Sequence, residues 1–211
     1  MASFTKEQIA ALDKVYRINL INSLSGYKSA NLIGTVSPGG KENVAVFSSV
    51  THLGSHPALL GFILRPNKVP RNTYKNIKET GCYTINHIID DIIEDAHHTS
   101  ARYPMNVSEF DVTNLKSKYK DGFIAPFVEV SPIKIAMKYL EEYFIKANET
   151  ILLLGEIQSV YIENDLLDKD GFVNLSKGKV AAINGLDGYA IPDLHERFGY
   201  QRPKDNLSAI G

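Results

Sequence analysis

Apolar and polar positions change their period several times along this chain. Near the start, Thr5 and Gln8 stand at capping-box spacing ahead of Ile9 and Leu12, which predicts a short helix packed across the outside of the remaining fold or against a partner. From Leu32 to Val36 the pattern is that of a strand. Ser37-Pro38-Gly39-Gly40-Lys41 reads as a turn, and Val44 to Phe47 as the returning strand. The chain then turns polar, with small side chains, from Ser48 to Pro57. Ala58 to Leu64 is a continuous apolar run, the mark of a buried strand. A basic Pro/Asn loop follows. After it Asn72 or Thr73 is a good N-cap type for about two helical turns over Tyr74–Thr80, closed by Gly81, and a strand ends at Asn86.

Asp90 to His98 reads as a helix with acids at its start and histidines at its close, each sign suited to the dipole end it occupies. Residues 99–132 are irregular, and a connection of that length is a candidate lid or dimer contact. Alternation returns in Ile133–Tyr139 and again in Ile151–Ile162 after a turn at Asn148-Glu149, as expected of barrel walls. Residues 185–203 are too irregular to assign, although the aromatics there could cover a ring. No repeat, low-complexity stretch or linker divides the chain, so residues 1–211 are expected to form a single domain.

Composition narrows the classes. The chain has 211 residues, 44% of them hydrophobic and 22% charged, with a formal net charge of -1. That excludes intrinsic disorder and gives no global basic field, so nucleic acid is not an expected partner. The N-terminus lacks the basic-then-apolar pattern of a signal peptide, and the apolar runs are too short to span a bilayer. A cytoplasmic protein with no membrane partner is the expectation. The single cysteine, Cys82, cannot form an intrachain disulfide and reads as a small core residue at a strand start.

Candidate chemistry concentrates in residues 43–87. The loop from Arg65 to Thr73 carries Arg65, Lys68 and Arg71 and no acid, directly before a helix start. Backbone N–H groups, the positive dipole end and guanidinium forks together suit a phosphate dianion, while a solvated basic loop is the plainer reading. Upstream, the hydroxyls of Ser48, Ser49 and Thr51 lie among small residues that let backbone approach a flat ring with a carbonyl and imide edge. They equally suit a Ser/Thr turn that satisfies itself. Gly39-Gly40-Lys41 is not a phosphate loop, because Glu42 stands where Ser or Thr is needed. His52, His56, His97 and His98 are the candidates for a metal set, but Gly54 and Pro57 oppose a helical His-x-x-x-His face, and no metal site is expected. Glu141, Glu142, Asp165, Asp168 and Asp170 read as solvated acids, so no catalytic side chain is singled out. There is no G-x-G-x-x-G fingerprint, hence no Rossmann site for a dinucleotide.

The pattern N-x-A-x-F-S-S from Asn43, then R-P-x-x-x-x-R-N-T-x-x-N-I-x-x-T-G from Arg65, resembles the flavin reductase-like proteins. Further matches are Lys28-Ser29-Ala30-Asn31-Leu32-Ile33-Gly34-Thr35, Thr99–Pro104 with Ser108-Glu109-Phe110, and Gly185–Tyr189. The resemblance implies a mainly β fold with flanking helices, an FMN-binding split β-barrel, in a homodimer that holds FMN between barrel and partner subunit. It implies ring and ribityl contacts from Ser48, Ser49, Val50 and Thr51, with Lys28, Ser29 and Asn31 in the adjoining strand. Arg65, Lys68, Arg71, Asn72 and Thr73 would face the phosphate. The family often has two prolines where His56-Pro57-Ala58 stands here. The expected activity is NAD(P)H-dependent flavin reduction, with electrons passing to free flavin or another small acceptor. The competing expectation is an FMN-carrying electron-transfer protein that NAD(P)H does not reduce.

Overall fold

The computed structural model describes residues 1–65, 71–200 and 202. The capping box forms as expected, with Thr5 N–H donating to Gln8 Oε1 at 2.8 Å and Gln8 N–H to Thr5 Oγ1 at 3.3 Å. It opens α1 (Lys6–Ala11), which stops at Leu12. A second helix, α2 (Lys14–Ser23), begins at once because the Asp13 carboxylate accepts from Val15 and Tyr16 N–H. Then come β1 (Lys28–Ser29), β2 (Asn31–Val36), β3 (Glu42–Phe47), β4 (Thr51–Ser55), β5 (Ala58–Leu64), α3 (Asn72–Thr80) and β6 (Cys82–His87). The second half holds α4 (Ile93–His98), α5 (Glu109–Val112), β7 (Ser117–Lys118), β8 (Phe127–Val128), β9 (Ile133–Ile145), β10 (Thr150–Ile162), β11 (Ala182–Asn184) and β12 (Gly188–Ala190).

Seven strands form one antiparallel sheet in the order β3-β2-β6-β9-β10-β5-β4. Its two outer strands, β3 and β4, are consecutive in the chain and joined by only Ser48-Ser49-Val50. The sheet must therefore curl until its edges nearly meet, which makes a barrel with a seam. Side chains close the interior behind that seam: Phe47 on β3 meets Phe62 on β5 edge to face at 5.1 Å, and Phe62 meets Tyr83 on β6 at 5.6 Å. Inward positions at period two fill the rest with Ile33, Leu64, Ile85, Ile133, Ile135, Met137 and Leu153. Each fully buried Phe or Leu contributes roughly 1.5–3 kcal/mol of burial free energy.

The outer face of β2, β3 and β6 is also dry. Ala30, Leu32 and Val44 pack with Ile92 and Ala96 of the α4 region, Phe110 of α5, Val128 of β8 and Ile183 of β11. This explains why every residue of β2 is buried. On β3, the N–H of Val44 meets Glu109 Oε2 at 3.3 Å and that of Val46 meets Thr99 Oγ1 at 2.8 Å. Residues 99–132 are thus in part a cover over a sheet edge, which shields donors that would otherwise invite another strand.

Several local expectations need correction. The first residue of the helix after the basic loop is Asn72, and its N-cap is Arg71, with extended backbone and no side-chain cap. Gly81 does close it, at φ 72°, with its N–H on Ile77 C=O at 2.8 Å. Thr51–Ser55 is a strand, because it pairs with β5 rather than looping free. β9 runs on to Ile145, well past Tyr139. The acidic stretch splits into a 3-10 turn over Asp90–Ile92 and the helix α4. Among the described residues, no helix is long and apolar enough to cross a membrane.

Candidate functional site

The seam gathers most of the residues singled out from the sequence. Ser49 occupies the position a β4 residue would hold beside Ile63. Its hydroxyl accepts from Ile63 N–H at 3.0 Å and donates to Ile63 C=O at 3.2 Å, so a side chain replaces a stretch of backbone ladder. Ser29 donates to Val50 C=O at 3.0 Å and ties β1 to the same link. These two hydroxyls already have protein partners. Those of Ser48, half-buried, and Thr51, exposed, make no side-chain hydrogen bond among the described residues.

Behind the link lies a cavity of about 220 Å³, bordered by Ser29, Asn31, Val50, Thr51, His52, Leu60, Ile85, His87 and Ile135. Asn31 is fully buried, and among the described residues neither its amide nitrogen nor its oxygen has a partner; His87 Nδ1 is likewise buried and unpaired there. Desolvation lowers the His87 imidazole to about 4, so it is neutral near pH 7. The sequence pattern ends this strand at Asn86 and so leaves His87 out of the candidate site. The alternation Tyr83, Ile85, His87 was the available signal that position 87 faces inward.

At the other end of the link, β5 finishes at Leu64 and delivers Arg65, which is exposed, as is Arg71 before α3. Partial burial, and then the like charges of Arg65 and Arg102, hold the Arg71 guanidinium below its usual value. Arg102 therefore belongs to this cluster, a third arginine from a remote part of the chain. The geometry agrees, since Asn72 Nδ2 reaches Met105 C=O at 3.4 Å. None of the three guanidiniums has a carboxylate partner among the described residues. Lys68 lies outside the described residues.

The remaining predicted residues have partners within the protein. Lys28 Nζ donates to Asn22 C=O at 2.9 Å and to Ser25 Oγ at 3.2 Å, closing the end of α2. Thr73 is buried against Asn43, whose amide is best satisfied with its nitrogen 3.1 Å from Glu109 Oε2 and its oxygen 3.2 Å from Thr73 Oγ1. That chain of contacts fixes the start of α3 to α5, and Asn76 Nδ2 on Thr35 Oγ1 at 3.1 Å fixes its second turn to β2. His97 faces Tyr189 and His98 faces Tyr103. Asp168 and Asp170 hold Arg197, which lies 3.9 Å from the Phe172 ring centroid. Burial raises the Cys82 thiol, which keeps it protonated.

A split antiparallel barrel with these features at its seam is the architecture of a known class of flavoproteins. The model of the flavin reductase like domain matches residues 24–181, and the chain belongs to that flavin-binding family. Among solved structures, it superimposes with a TM-score of 0.92 on a proposed flavin reductase with a split barrel domain from Shewanella frigidimarina NCIMB 400. The two are 45% identical over 95% of this chain and 100% of that one. More distant structures share the fold. Nitrilotriacetate monooxygenase component B from Bacillus cereus aligns at TM-score 0.80 with 18% identity, covering 95% of this chain and 98% of that one. Flavoredoxin of Desulfovibrio vulgaris (Miyazaki F) aligns at TM-score 0.72 with 20% identity, covering 83% and 92%.

Proposed function

We propose that this protein is an FMN-dependent oxidoreductase in which NAD(P)H reduces the bound flavin and electrons pass on to free flavin or another small acceptor. The observation that carries the reading is the pairing, along one seam, of a ring-sized cavity lined by Asn31, whose amide is unpaired among the described residues, with three arginines that have no carboxylate partner among the described residues. A flavin mononucleotide has a flat carbonyl-edged ring at one end and a dianion at the other, so both ends meet groups suited to them. In this reading Ser48 to Thr51 lie along the ring and ribityl chain. Arg65, Arg71 and Arg102, with the uncapped start of α3, neutralise the phosphate.

FMN, when bound, supplies the electron-accepting chemistry; the chain supplies binding, orientation and shelter from water. The apolar walls from Val50, Leu60, Ile85 and Ile135 exclude water from one face of the site. Thr51 and His52 are exposed and leave the other side accessible to a nicotinamide that has no domain of its own to dock on.

The reading includes a homodimer. No residue of α1 or α2 is fully buried, yet α2 and its C-cap expose Val15, Tyr16, Ile18, Ile21 and Leu24. Apolar side chains left uncovered in this number need a second surface, and another copy of the chain supplies one.

The test is an anaerobic visible-absorption titration of the FMN-reconstituted protein with NADH and then NADPH. Rapid bleaching of a retained flavin band is the expected result and names the donor. A retained band that neither donor bleaches would overturn the reductase reading in favour of an electron-transfer protein.

A further inference from the structure

The interior column of the barrel ends in polar residues. Inward positions on β2 and β6 run through the Ile33–Ile85 pair to Asn31 and His87, which are direct cross-strand partners. Asn31 is 0% exposed, and neither amide atom is paired among the described residues; His87 Nδ1 is enclosed and also unpaired among them. Buried polar atoms left unmade carry an uncompensated desolvation cost, so such a group in a native core calls for a partner. Both residues line the seam cavity, whose other walls include Val50, Leu60, Ile85 and Ile135.

The cavity size and chemistry together limit the occupant. An apolar cavity of ~150 Å³ accepts a benzene, so about 220 Å³ holds one ring with substituents and not a fused three-ring system. Asn31 offers an NH2 donor and a C=O acceptor side by side, and His87 adds one further ring nitrogen. The fitting ligand is an uncharged ring whose edge alternates C=O and N–H.

Resting on the flavin reading above, we propose that Asn31 and His87 form a polar floor that receives the pyrimidinedione end of the isoalloxazine and reads its C=O/N–H/C=O edge. The ring enters end-on, and the dimethylbenzene end stays toward the open side of the seam. His87 contributes as a neutral imidazole, consistent with the strong desolvation that holds it unprotonated at neutral pH. Both residues are positioning groups toward the flavin, and His87 is one that no motif in the sequence marked.

The experiment compares FMN with 3-methyl-FMN, in which the N3–H donor is replaced by a methyl group. Dissociation constants are measured by flavin fluorescence for the wild type, Asn31→Ser and His87→Gln. The expected wild-type result is binding of 3-methyl-FMN about tenfold or more weaker than FMN, with the gap shrinking to about twofold in Asn31→Ser. A second readout needs no variant: solvent exchange of the N3 proton of bound ¹⁵N-labelled FMN should be slowed relative to free FMN. Equal affinities in the wild type, an unchanged gap in both variants, or N3–H exchange as fast as in free FMN would each overturn the proposal while leaving FMN binding intact. A wild-type protein that retains neither flavin would instead sink the flavin reading itself, and this inference with it.

Discussion

Replacing His87 by glutamine should flatten the acid side of the stability profile. The imidazole titrates at about 4 in the folded protein against an ordinary 6.5, because burial penalises its charged form. As pH falls, the unfolded chain takes up the proton first, so the stability that neutral burial preserves is fully present above about 6.5. It is lost progressively down to about 4, below which both states are protonated. At about 1.4 kcal/mol per pH unit, the whole interval corresponds to about 3 kcal/mol, and a drop to pH 4.5 to roughly 2.5 kcal/mol. That is a large share of the ~5–15 kcal/mol available to a domain. Glutamine keeps a neutral polar side chain at the cavity and removes the titration. Urea unfolding of both proteins at about pH 7 and pH 4.5 gives four free energies. Carboxylates and exposed groups titrate alike in the two proteins and cancel in the difference. The wild type should lose roughly 2.5 kcal/mol more than the variant over this span. Parallel losses would refute the claim that His87 is buried without a proton.

A methyl group at Gly155 should strain the barrel. A Cβ there would sit 2.3 Å from Tyr83 Oη and 3.0 Å from Lys138 C=O, at a bulge between β9 and β10. Gly155→Ala is expected to cost about 1–3 kcal/mol, visible as a lowered Tm, and an unchanged Tm would show that Tyr83 moves freely. Arg71→Glu should weaken FMN binding by more than tenfold, since a charge-assisted contact contributes about 1.5–3 kcal/mol before repulsion is added. The same variant should unfold with unchanged cooperativity, and full FMN affinity would remove the arginine cluster from the phosphate site. Ile21→Glu on the exposed face of α2 should shift the protein toward monomer in sedimentation velocity, and an unaltered sedimentation coefficient would place the contact elsewhere.

What the sequence disclosed follows from the range of the forces involved. Gly81 announces the end of α3 because its left-handed backbone is a local demand, and β9 and β10 announce themselves by alternation within one segment. β4 was hidden. Its Thr-His-Leu-Gly-Ser run is mostly exposed and lies at the sheet edge, so no dry face imposes a period on it. The site divides in the same way. Ser48 to Thr51 and Arg65 to Thr73 were legible as contiguous stretches of suitable donors. Arg102 joins them only through packing of a distant segment, and the caps on Val44 and Val46 come from residues 65 and 53 positions away. The N-cap expectation failed for a related reason: the Thr73 hydroxyl is occupied by Asn43, which Glu109 in turn holds from across the fold, and the helix start is left open.

The Ser49 substitution for a rung of the ladder at Ile63 has a mechanical consequence. A fully closed barrel owes its rigidity to an unbroken ring of hydrogen bonds, whereas here no ladder joins β3 to β4 among the described residues, and the link between them is held to β5 by the Ser49 hydroxyl. Breathing of the empty protein should therefore begin at residues 48–50, and fast amide exchange there would mark it. Whatever ligand spans from the cavity to the arginines crosses that same gap and acts as a clasp, so its affinity and the melting of the barrel are one linked quantity.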